Sequence, residues 1–294
     1  MDQFYISSRK RGFALIALVV AVFAILGCGD AGKTNKSQQA KRLVVIGGSA
    51  TEVVYALGAG GMIVATDTSS VYPVEATKLP QVGYQRTISA EGVVAQKPDL
   101  VLALPETGPP AALAQIKQAG IVVETISNEH SVEGVAGKIA EVAKALGMEA
   151  KGEELLKNFR TDVDAALREC GLRETRPSMV VLFARGSGSP MISGSKTAAD
   201  AMIKIVGGEN SAKGFEGYKP LTPEALVEAA PDYVIVPSRA FEAMGGKSKI
   251  LSIPGMSETP AGKNGNVISI DDALLLGFTP RLGIGIKELC AKIR

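Results

Sequence analysis

Residues 89–102 have the sequence SAEGVVAQKPDLVL, and residues 222–235 have the sequence TPEALVEAAPDYVI. Each stretch begins with a hydroxyl residue, places a glutamate two positions later, and ends in Pro-Asp followed by an apolar run. The glutamates, Glu91 and Glu224, are separated by 133 residues, and so are the two aspartates. A register that holds over the whole stretch indicates an internal repeat. We therefore predict a chain folded as two similar halves.

Apolar runs of strand length alternate with helical patterns in the first half. The runs are RLVVIG at 42–47, MIVATD at 62–67, DLVLAL at 99–104 and IVVETI at 121–126. Between the first two, SATE at 49–52 predicts a capping box that starts a helix. Strands that alternate with helices favour a parallel sheet covered on both faces.

A helical pattern connects the halves. Residues 149–170 place apolar side chains at helical spacing with few breakers, which predicts one long helix. We expect an α/β fold in which two α/β/α sandwich lobes with parallel-type sheets, at 42–148 and 171–294, are joined by this single helix. Because a helical connector resists bending, the lobes should move only slightly when a ligand binds.

The first residues have the pattern of an export signal. A basic cluster precedes an apolar stretch at 13–26, which is too short to span a membrane and ends at Gly27 and Cys28. This ending resembles the bacterial lipoprotein box, whose cysteine is acylated; an ordinary signal peptide with an incidental cysteine is the alternative. We predict a signal peptide at 1–27, lipidation of Cys28 and a flexible tether at 28–41. The protein should be extracytoplasmic and lipid-anchored to the cell membrane, on the periplasmic side where an outer membrane exists.

Composition disfavours several classes of site. The formal net charge is +2, which gives no strong field toward nucleic acid. Besides Cys28 the chain has only Cys170 and Cys290, without a CxxC motif, which disfavours zinc, iron–sulfur and c-type haem sites. Both a disulfide and two unpaired thiols are compatible with this pair. The single histidine, His130, precedes a helical pattern, as expected for a surface residue near a helix cap, and it excludes sites built on several histidines.

Several segments resemble one branch of the periplasmic binding proteins. They are TDTSSVYP at 66–73, VGYQR at 82–86 with SAEG at 89–92, TAADAMIKIVGGEN at 197–210, GYKPLTPEALVEAAPDYVIV at 217–236 and LLGFTPR at 275–281. Together they are similar to the haem (hemin) binding proteins of ABC importers, in the group that also holds vitamin B12 and ferric-siderophore binding proteins. The resemblance implies the helical-backbone fold of that group. It also implies a ligand cleft between the lobes, formed by loops at the carboxyl edges of the sheets.

The resemblance further implies which residues bind haem. Tyr84 falls at the position of the family's axial iron ligand, and a phenolate is a suitable hard anionic ligand for ferric iron. Arg86 and Arg239 are implied to supply positive charge that stabilises the phenolate. For Arg185 the resemblance implies either five-coordinate iron or an arginine paired with a haem propionate. Second-rank candidates in the cleft are Tyr72 and Tyr218.

The resemblance also implies a partner for the repeated glutamates, the permease of the importer. Glu91 and Glu224 begin equivalent helices, and the resemblance implies that each docks with arginines of the dimeric permease. The local alternative is that each glutamate only opposes the dipole of its helix. The predicted partners are haem as the transported ligand, the permease dimer and the membrane, for a monomer that binds no nucleic acid and is not an enzyme.

Two other functions fit parts of the pattern. The same fold would serve for a ferric siderophore or a corrinoid, although such sites often use tryptophan and this chain has none. A nucleotide-using α/β enzyme would need a phosphate loop, and GGSATE at 47–52 lacks the GxGxxG order. We therefore favour haem capture.

Overall fold

The described residues form a four-stranded sheet before a long helix, a six-stranded sheet after it, and a two-stranded hairpin. The structure is a computed structural model that describes residues 42–171, 175–184 and 189–293. The predicted signal peptide, Cys28, the tether and Arg185 lie outside the described residues. The α/β class and the arrangement of two lobes joined by a helix are confirmed.

The first lobe holds strands β1 to β6 and helices α1 to α4. The strands are β1 (Leu43–Ile46), β2 (Ile63–Thr66), β3 (Gly83–Tyr84), β4 (Thr87–Ile88), β5 (Leu100–Ala103) and β6 (Val122–Thr125). The helices are α1 (Gly48–Ala56), α2 (Ala90–Ala95), α3 (Pro110–Gln118) and α4 (Val132–Ala145). The four apolar runs of the first half are therefore confirmed as strands.

The first sheet is parallel and covered on both faces, as predicted. Its strand order is β2-β1-β5-β6, and β3 and β4 form a separate hairpin. In β1, Leu43 and Val45 join the core beneath α1 and α4, whereas Val44 and Ile46 join the core beneath α2 and α3. All four side chains are fully buried, so the strand is a continuous apolar run and not an alternating one.

Helix α5 (Glu149–Cys170) joins the lobes. Its buried side chains include Phe159, Val163 and Ala166, which lie about one helical turn apart and form one inner face. Gly152 lets α5 approach α4 closely, because a Cβ at Gly152 would lie 2.5 Å from the Cβ of Ala143. The predicted long helix is therefore confirmed, and it packs tightly against the first lobe.

The second lobe holds the remaining strands and helices. The strands are β7 (Ser178–Phe183), β8 (Met191–Ser193), β9 (Glu209–Asn210), β10 (Tyr218–Pro220), β11 (Tyr233–Pro237) and β12 (Val267–Ile270). The helices are α6 (Ala198–Ile205), α7 (Pro223–Ala229), α8 (Ser238–Ala243), α9 (Gly246–Leu251), α10 (Pro260–Asn264), α11 (Asp272–Leu276) and α12 (Leu282–Lys292). Of the helices in the described ranges, none combines the length and the apolar character that a membrane crossing requires.

The second sheet is mixed, which refines the prediction of parallel-type sheets. Its path is β10-β8-β7-β11-β12, with β9 also paired to β7. The pairs of β7 with β9 and β11, and of β11 with β12, are parallel, whereas β8 pairs antiparallel with β7 and β10. The connection from β7 to β8 comprises only residues 184–190, which is too short for the crossover helix that a parallel pair needs.

The repeated Pro-Asp pair has the same structural role in both lobes. Asp99 precedes β5, and its Oδ2 accepts a hydrogen bond of 2.9 Å from the backbone N–H of Arg42, at the start of β1. Asp232 precedes β11, and its Oδ2 accepts one of 2.8 Å from the N–H of Ser178, at the start of β7. The aspartate thus holds the amino end of the neighbouring strand in each half, which explains why the repeat retains it.

The lobes share one core on the side of α5. A single cluster of buried side chains runs from β1 through α4 and α5 to β7 and α12. The disulfide Cys170–Cys290 also ties the end of α5 to α12, with 5.3 Å between the Cα atoms. Of the two alternatives left open for these cysteines, the structure shows the disulfide.

Candidate ligand-binding site

Tyr84 lies in a short hairpin that follows β2. In this hairpin Tyr84 of β3 pairs with Thr87 of β4, and Gln85 and Arg86 form the turn between them. The side chain of Tyr84 is half-buried and that of Arg86 is exposed. Gly83 has φ of +106°, and a Cβ there would lie 3.0 Å from the carbonyl oxygen of Thr87, so the tight hairpin requires glycine before the tyrosine.

Backbone hydrogen bonds hold the hairpin at the carboxyl edge of the first sheet. The N–H of Thr68, just after β2, donates to the carbonyl of Gly83 over 2.9 Å. The N–H of Gly108, in the loop after β5, donates to the carbonyl of Gln85 over 2.9 Å. Because both loops leave the carboxyl ends of parallel strands, the hairpin lies where open α/β sheets bind their ligands.

The loop after β5 carries two buried polar atoms at this edge. Within the described ranges, Glu106 Oε2 and Thr107 Oγ1 have no hydrogen-bond partner. The other carboxylate oxygen of Glu106 accepts a hydrogen bond of 3.1 Å from Asn128 Nδ2. Buried polar atoms that lack partners are rare in folded proteins and are typical of functional sites.

Lys138 of α4 connects the two lobes. Its side chain is fully buried, and its ammonium donates to Ser49 Oγ at 2.8 Å, to Asn128 Oδ1 at 2.6 Å and to the backbone carbonyl of Phe278 at 3.0 Å. Phe278 belongs to the second lobe and has a left-handed backbone, with φ of +48°. Burial lowers the pKa of Lys138 to about 8, although nearby carboxylates, Glu106 first among them, act in the opposite direction.

A second contact between the lobes lies nearby. The Arg281 guanidinium makes a bidentate ion pair with Glu52 of α1, with Nε–Oε2 and Nη2–Oε1 distances of 2.8 and 2.7 Å. It also lies over the ring of Tyr72, 3.6 Å from the centroid, as expected for a cation–π contact. Tyr72 is exposed over 45% of its surface, with one face occupied by Arg281.

The predicted capping box at 49–52 is wrong. Helix α1 begins at Gly48, with Gly47 as the N-cap and no side-chain hydrogen bond to the cap. Ser49 instead receives the hydrogen bond from Lys138, and Glu52 pairs with Arg281. Glu52 thus contacts the second lobe, and Ser49 contacts α4 of its own lobe. In each case a partner distant in sequence competes with the local cap.

His130 is not a simple surface residue, which corrects the expectation. Its ring is half-buried and packs at 5.2 Å, centroid to centroid, against the ring of Phe278. Burial lowers its pKa, nearby Lys138 lowers it further, and Glu106 acts in the opposite direction. The cap of α4 is Ser131, whose Oγ accepts a hydrogen bond from the N–H of Gly134. His130 therefore lies between the lobes, where burial favours its neutral form.

Of the second-lobe candidates, Arg239 follows the carboxyl end of β11, whereas Tyr218 is the first residue of β10. The ring centroid of Tyr218 is 6.0 Å from that of Phe183, the last residue of β7. Arg239 follows β11 in the first turn of α8, and its backbone N–H donates to Asp272 Oδ2 over 3.1 Å. Its side chain is exposed. The structure thus places Tyr84 and Arg86 in one hairpin of the first lobe, and Tyr218 and Arg239 on the other lobe.

Glu91 and Glu224 occupy matching positions. Each is an exposed residue in the first turn of its helix, α2 or α7. The helices have equivalent caps: Ser89 Oγ accepts from the N–H of Gly92, and Thr222 Oγ1 accepts from that of Ala225. The two glutamates therefore remain available for a partner, one on each lobe.

Solved structures with this fold include two haem-binding proteins. BhuT, described as a periplasmic heme-binding protein in complex with two hemes, has a TM-score of 0.82 and is 42% identical, over 86% of this chain and 97% of BhuT. RhuT from Roseiflexus sp. RS-1, described as a periplasmic heme-binding protein in apo form, has a TM-score of 0.82 and 38% identity, with the same coverage.

Curated relatives cover nearly the same length. YvrC of Bacillus subtilis (strain 168), named an uncharacterized ABC transporter substrate-binding lipoprotein, is 29% identical over 97% of this chain and 98% of its own. A vitamin B12-binding protein of Vibrio parahaemolyticus is 27% identical over 87% of this chain and 90% of its own. The family model described as periplasmic binding protein matches residues 43–274. This chain belongs to the periplasmic binding protein family.

Proposed function

We propose that this protein captures haem outside the cytoplasm and delivers it to the permease of an ABC importer. The observation that carries the proposal is the position of the Tyr84 hairpin. Backbone hydrogen bonds from the loops after β2 and β5 hold it at the carboxyl edge of the first sheet. The similarity to the haem-binding proteins BhuT and RhuT over 86% of the chain supports the same cargo. The protein acts by binding and release, without catalysis.

The chemistry of the candidate residues suits ferric haem. Tyr84 would ligate the iron as a phenolate, a hard anion for a hard cation. A free phenol titrates near 10, so the bound form needs the metal and nearby positive charge. Arg86 in the same turn, with Arg239 and Arg185 from the second lobe, would supply that charge or pair with the propionates. Tyr72 and Tyr218 would contact the ligand from the cleft walls.

Delivery would use the outer faces of both lobes. Glu91 and Glu224 would dock with arginines of the permease dimer, one glutamate for each subunit. The protein would act as a monomer, held at the membrane by a lipid on Cys28. The name of the relative YvrC, a substrate-binding lipoprotein, supports that anchor.

A corrinoid is the second candidate cargo. Vitamin B12-binding proteins are among the relatives, at 27% identity over most of the chain. Haem is favoured because the haem-binding structures have higher identity, 42% and 38%, and because a tyrosine in a rigid hairpin is a ligand for ferric iron.

Parallel titrations would decide the cargo. We expect purified protein to bind hemin saturably, with a shifted Soret band, and to give no binding heat with cyanocobalamin or a ferric siderophore. Binding of cyanocobalamin or the siderophore, without a change in the hemin spectrum, would overturn the proposal and leave the family fold intact.

A further inference from the structure

Asp67 is a buried carboxylate directly after β2, with no exposed surface. Its Oδ1 accepts hydrogen bonds from Gly47 N–H at 2.8 Å and Ser70 Oγ at 3.0 Å. Its Oδ2 accepts from Ser69 N–H at 2.9 Å and Gln85 N–H at 3.2 Å. The described residues include no lysine, arginine or histidine in a salt bridge with this carboxylate.

The protein itself occupies the whole hydrogen-bonding capacity of this carboxylate. An ionised carboxylate has about four acceptor sites, and Asp67 receives four hydrogen bonds. No site is left for a polar group of a ligand. Asp67 therefore binds groups of the protein itself and does not hydrogen-bond to the cargo.

The four donors come from three different loops. Gly47 lies between β1 and α1, Ser69 and Ser70 follow β2, and Gln85 is in the turn of the β3–β4 hairpin. Hydrogen bonds to a charged acceptor are stronger than those between neutral groups. One carboxylate thus fastens the hairpin to the two loops at the carboxyl ends of β1 and β2.

Both neighbours of Tyr84 in the sequence are held by hydrogen bonds. The next residue, Gln85, donates its N–H to Asp67, and the preceding residue, Gly83, accepts from the N–H of Thr68. We propose that Asp67 is a positioning residue that sets the orientation of Tyr84 for ligation of the iron. This inference rests on the proposed function, because it assumes that Tyr84 binds the cargo.

The first test needs no haem. Asp67→Asn keeps the side-chain volume but replaces one acceptor oxygen with an N–H₂ group that faces other donors. We expect hydrogen exchange in ligand-free protein to become at least about tenfold faster in peptides that cover residues 81–88. The matched control is Asp200→Asn, because Asp200 is also buried and accepts hydrogen bonds from Lys196, Lys204 and Asn210 of the second lobe. This control should leave the exchange of 81–88 unchanged.

The second test uses full-length protein loaded with hemin. We expect Asp67→Asn to release hemin to apomyoglobin about tenfold faster than wild type and to shift the phenolate-to-iron charge-transfer band. Asp200→Asn should lower only the melting temperature. A general loss of stability would not move the charge-transfer band.

The outcomes separate this inference from the proposed function. Unchanged exchange at 81–88 in folded Asp67→Asn would overturn the positioning role, whatever the cargo. Faster exchange together with a wild-type protein that does not bind hemin would refute the proposed function and the ligation of iron by Tyr84, and would leave Asp67 only as the residue that holds the hairpin. If Asp67→Asn does not fold, Ser70→Ala removes one of the four donors. Ser70→Ala should then speed up both hydrogen exchange at 81–88 and hemin release, by less than is expected for Asp67→Asn. If both measurements stay at the wild-type value, the inference is refuted.

Discussion

Lys138 is the residue whose chemistry depends most on its location. Its ammonium is fully buried and donates to three neutral oxygen acceptors, and no carboxylate of the described residues hydrogen-bonds to it. Removing a charge from water is costly, so burial lowers the pKa of Lys138 to about 8. The desolvated ammonium lies where α4 meets the second lobe.

The stability of the protein should therefore depend on pH through Lys138. The unfolded lysine titrates near 10.5 and the folded one near 8, so the unfolded state binds more protons between these values. The free energy of unfolding of wild type, relative to Lys138→Met, should rise by about 3 kcal/mol from pH 8 to 10.5. Urea unfolding at several pH values measures this difference, with Lys144→Met as the control on the exposed face of α4. A difference that stays constant across the window would contradict this account of Lys138.

The residues between the lobes were the hardest to predict from sequence. Tyr84 and Arg86 were singled out by resemblance, and the structure places them in one hairpin. Glu52 and Arg281 are 229 residues apart, and Lys138 and Phe278 are 140 residues apart. Such pairs leave no local pattern, because each partner is unremarkable in its own helix or loop. The TDTSS and LLGFTPR segments did contain Asp67 and Arg281, but only as family motifs without a physical role.

At the scale of elements, prediction succeeded where the pattern is local or repeated. The four strands of the first sheet and α5 follow from runs of apolar residues and from helical spacing. The capping box failed because Glu52 finds a stronger, bidentate partner in Arg281. The antiparallel strand β8 was missed because strand direction depends on the length of a connection that carries no apolar pattern.

The helices α2 and α7 support a prediction about docking. Glu91→Lys combined with Glu224→Lys should reduce hemin-dependent stimulation of the importer's ATPase by about tenfold or more, because each permease arginine would then face a like charge. Hemin affinity should not change, since both residues are exposed on outer helix ends. The measurement is ATP hydrolysis by the cognate importer in proteoliposomes.

A control on the same helix tests the specificity of that effect. Glu228→Lys changes an exposed charge of α7 outside its first turn. It should leave ATPase stimulation near the wild-type value. If this variant and the double variant lose ATPase stimulation equally, the effect is a general effect of charge and not the loss of a defined docking site.

At the scale of the whole molecule, the described residues join the lobes through several contacts. The lobes share a core along α5, and the 277–281 loop binds the first lobe both through Lys138 and through the ion pair of Arg281 with Glu52. In the latter pair Glu52 is buried, with 5% of its side chain exposed, and Arg281 is partly buried, with 19% exposed. Breaking one partner of such a pair is costly, so these contacts should restrict the angle between the lobes.

The distance between the lobes should therefore change little on binding. Spin labels at Lys117→Cys and Lys247→Cys should report a shift of less than about 2 Å when gallium protoporphyrin, a diamagnetic stand-in for hemin, is added. Glu52→Gln combined with Lys138→Met should broaden the distance distribution of the ligand-free protein. A shift of several ångströms in wild type would show that the lobes hinge despite their contacts.

The account depends most directly on the bond between Tyr84 and ferric iron. Its test is the absorption spectrum of hemin-loaded wild type, Tyr84→Phe and the matched variant Tyr218→Phe, together with the rate of hemin loss to apomyoglobin. The account predicts that only Tyr84→Phe loses the phenolate-to-iron charge-transfer band and that it releases hemin about a hundredfold faster. An unchanged band and rate in Tyr84→Phe would contradict the account.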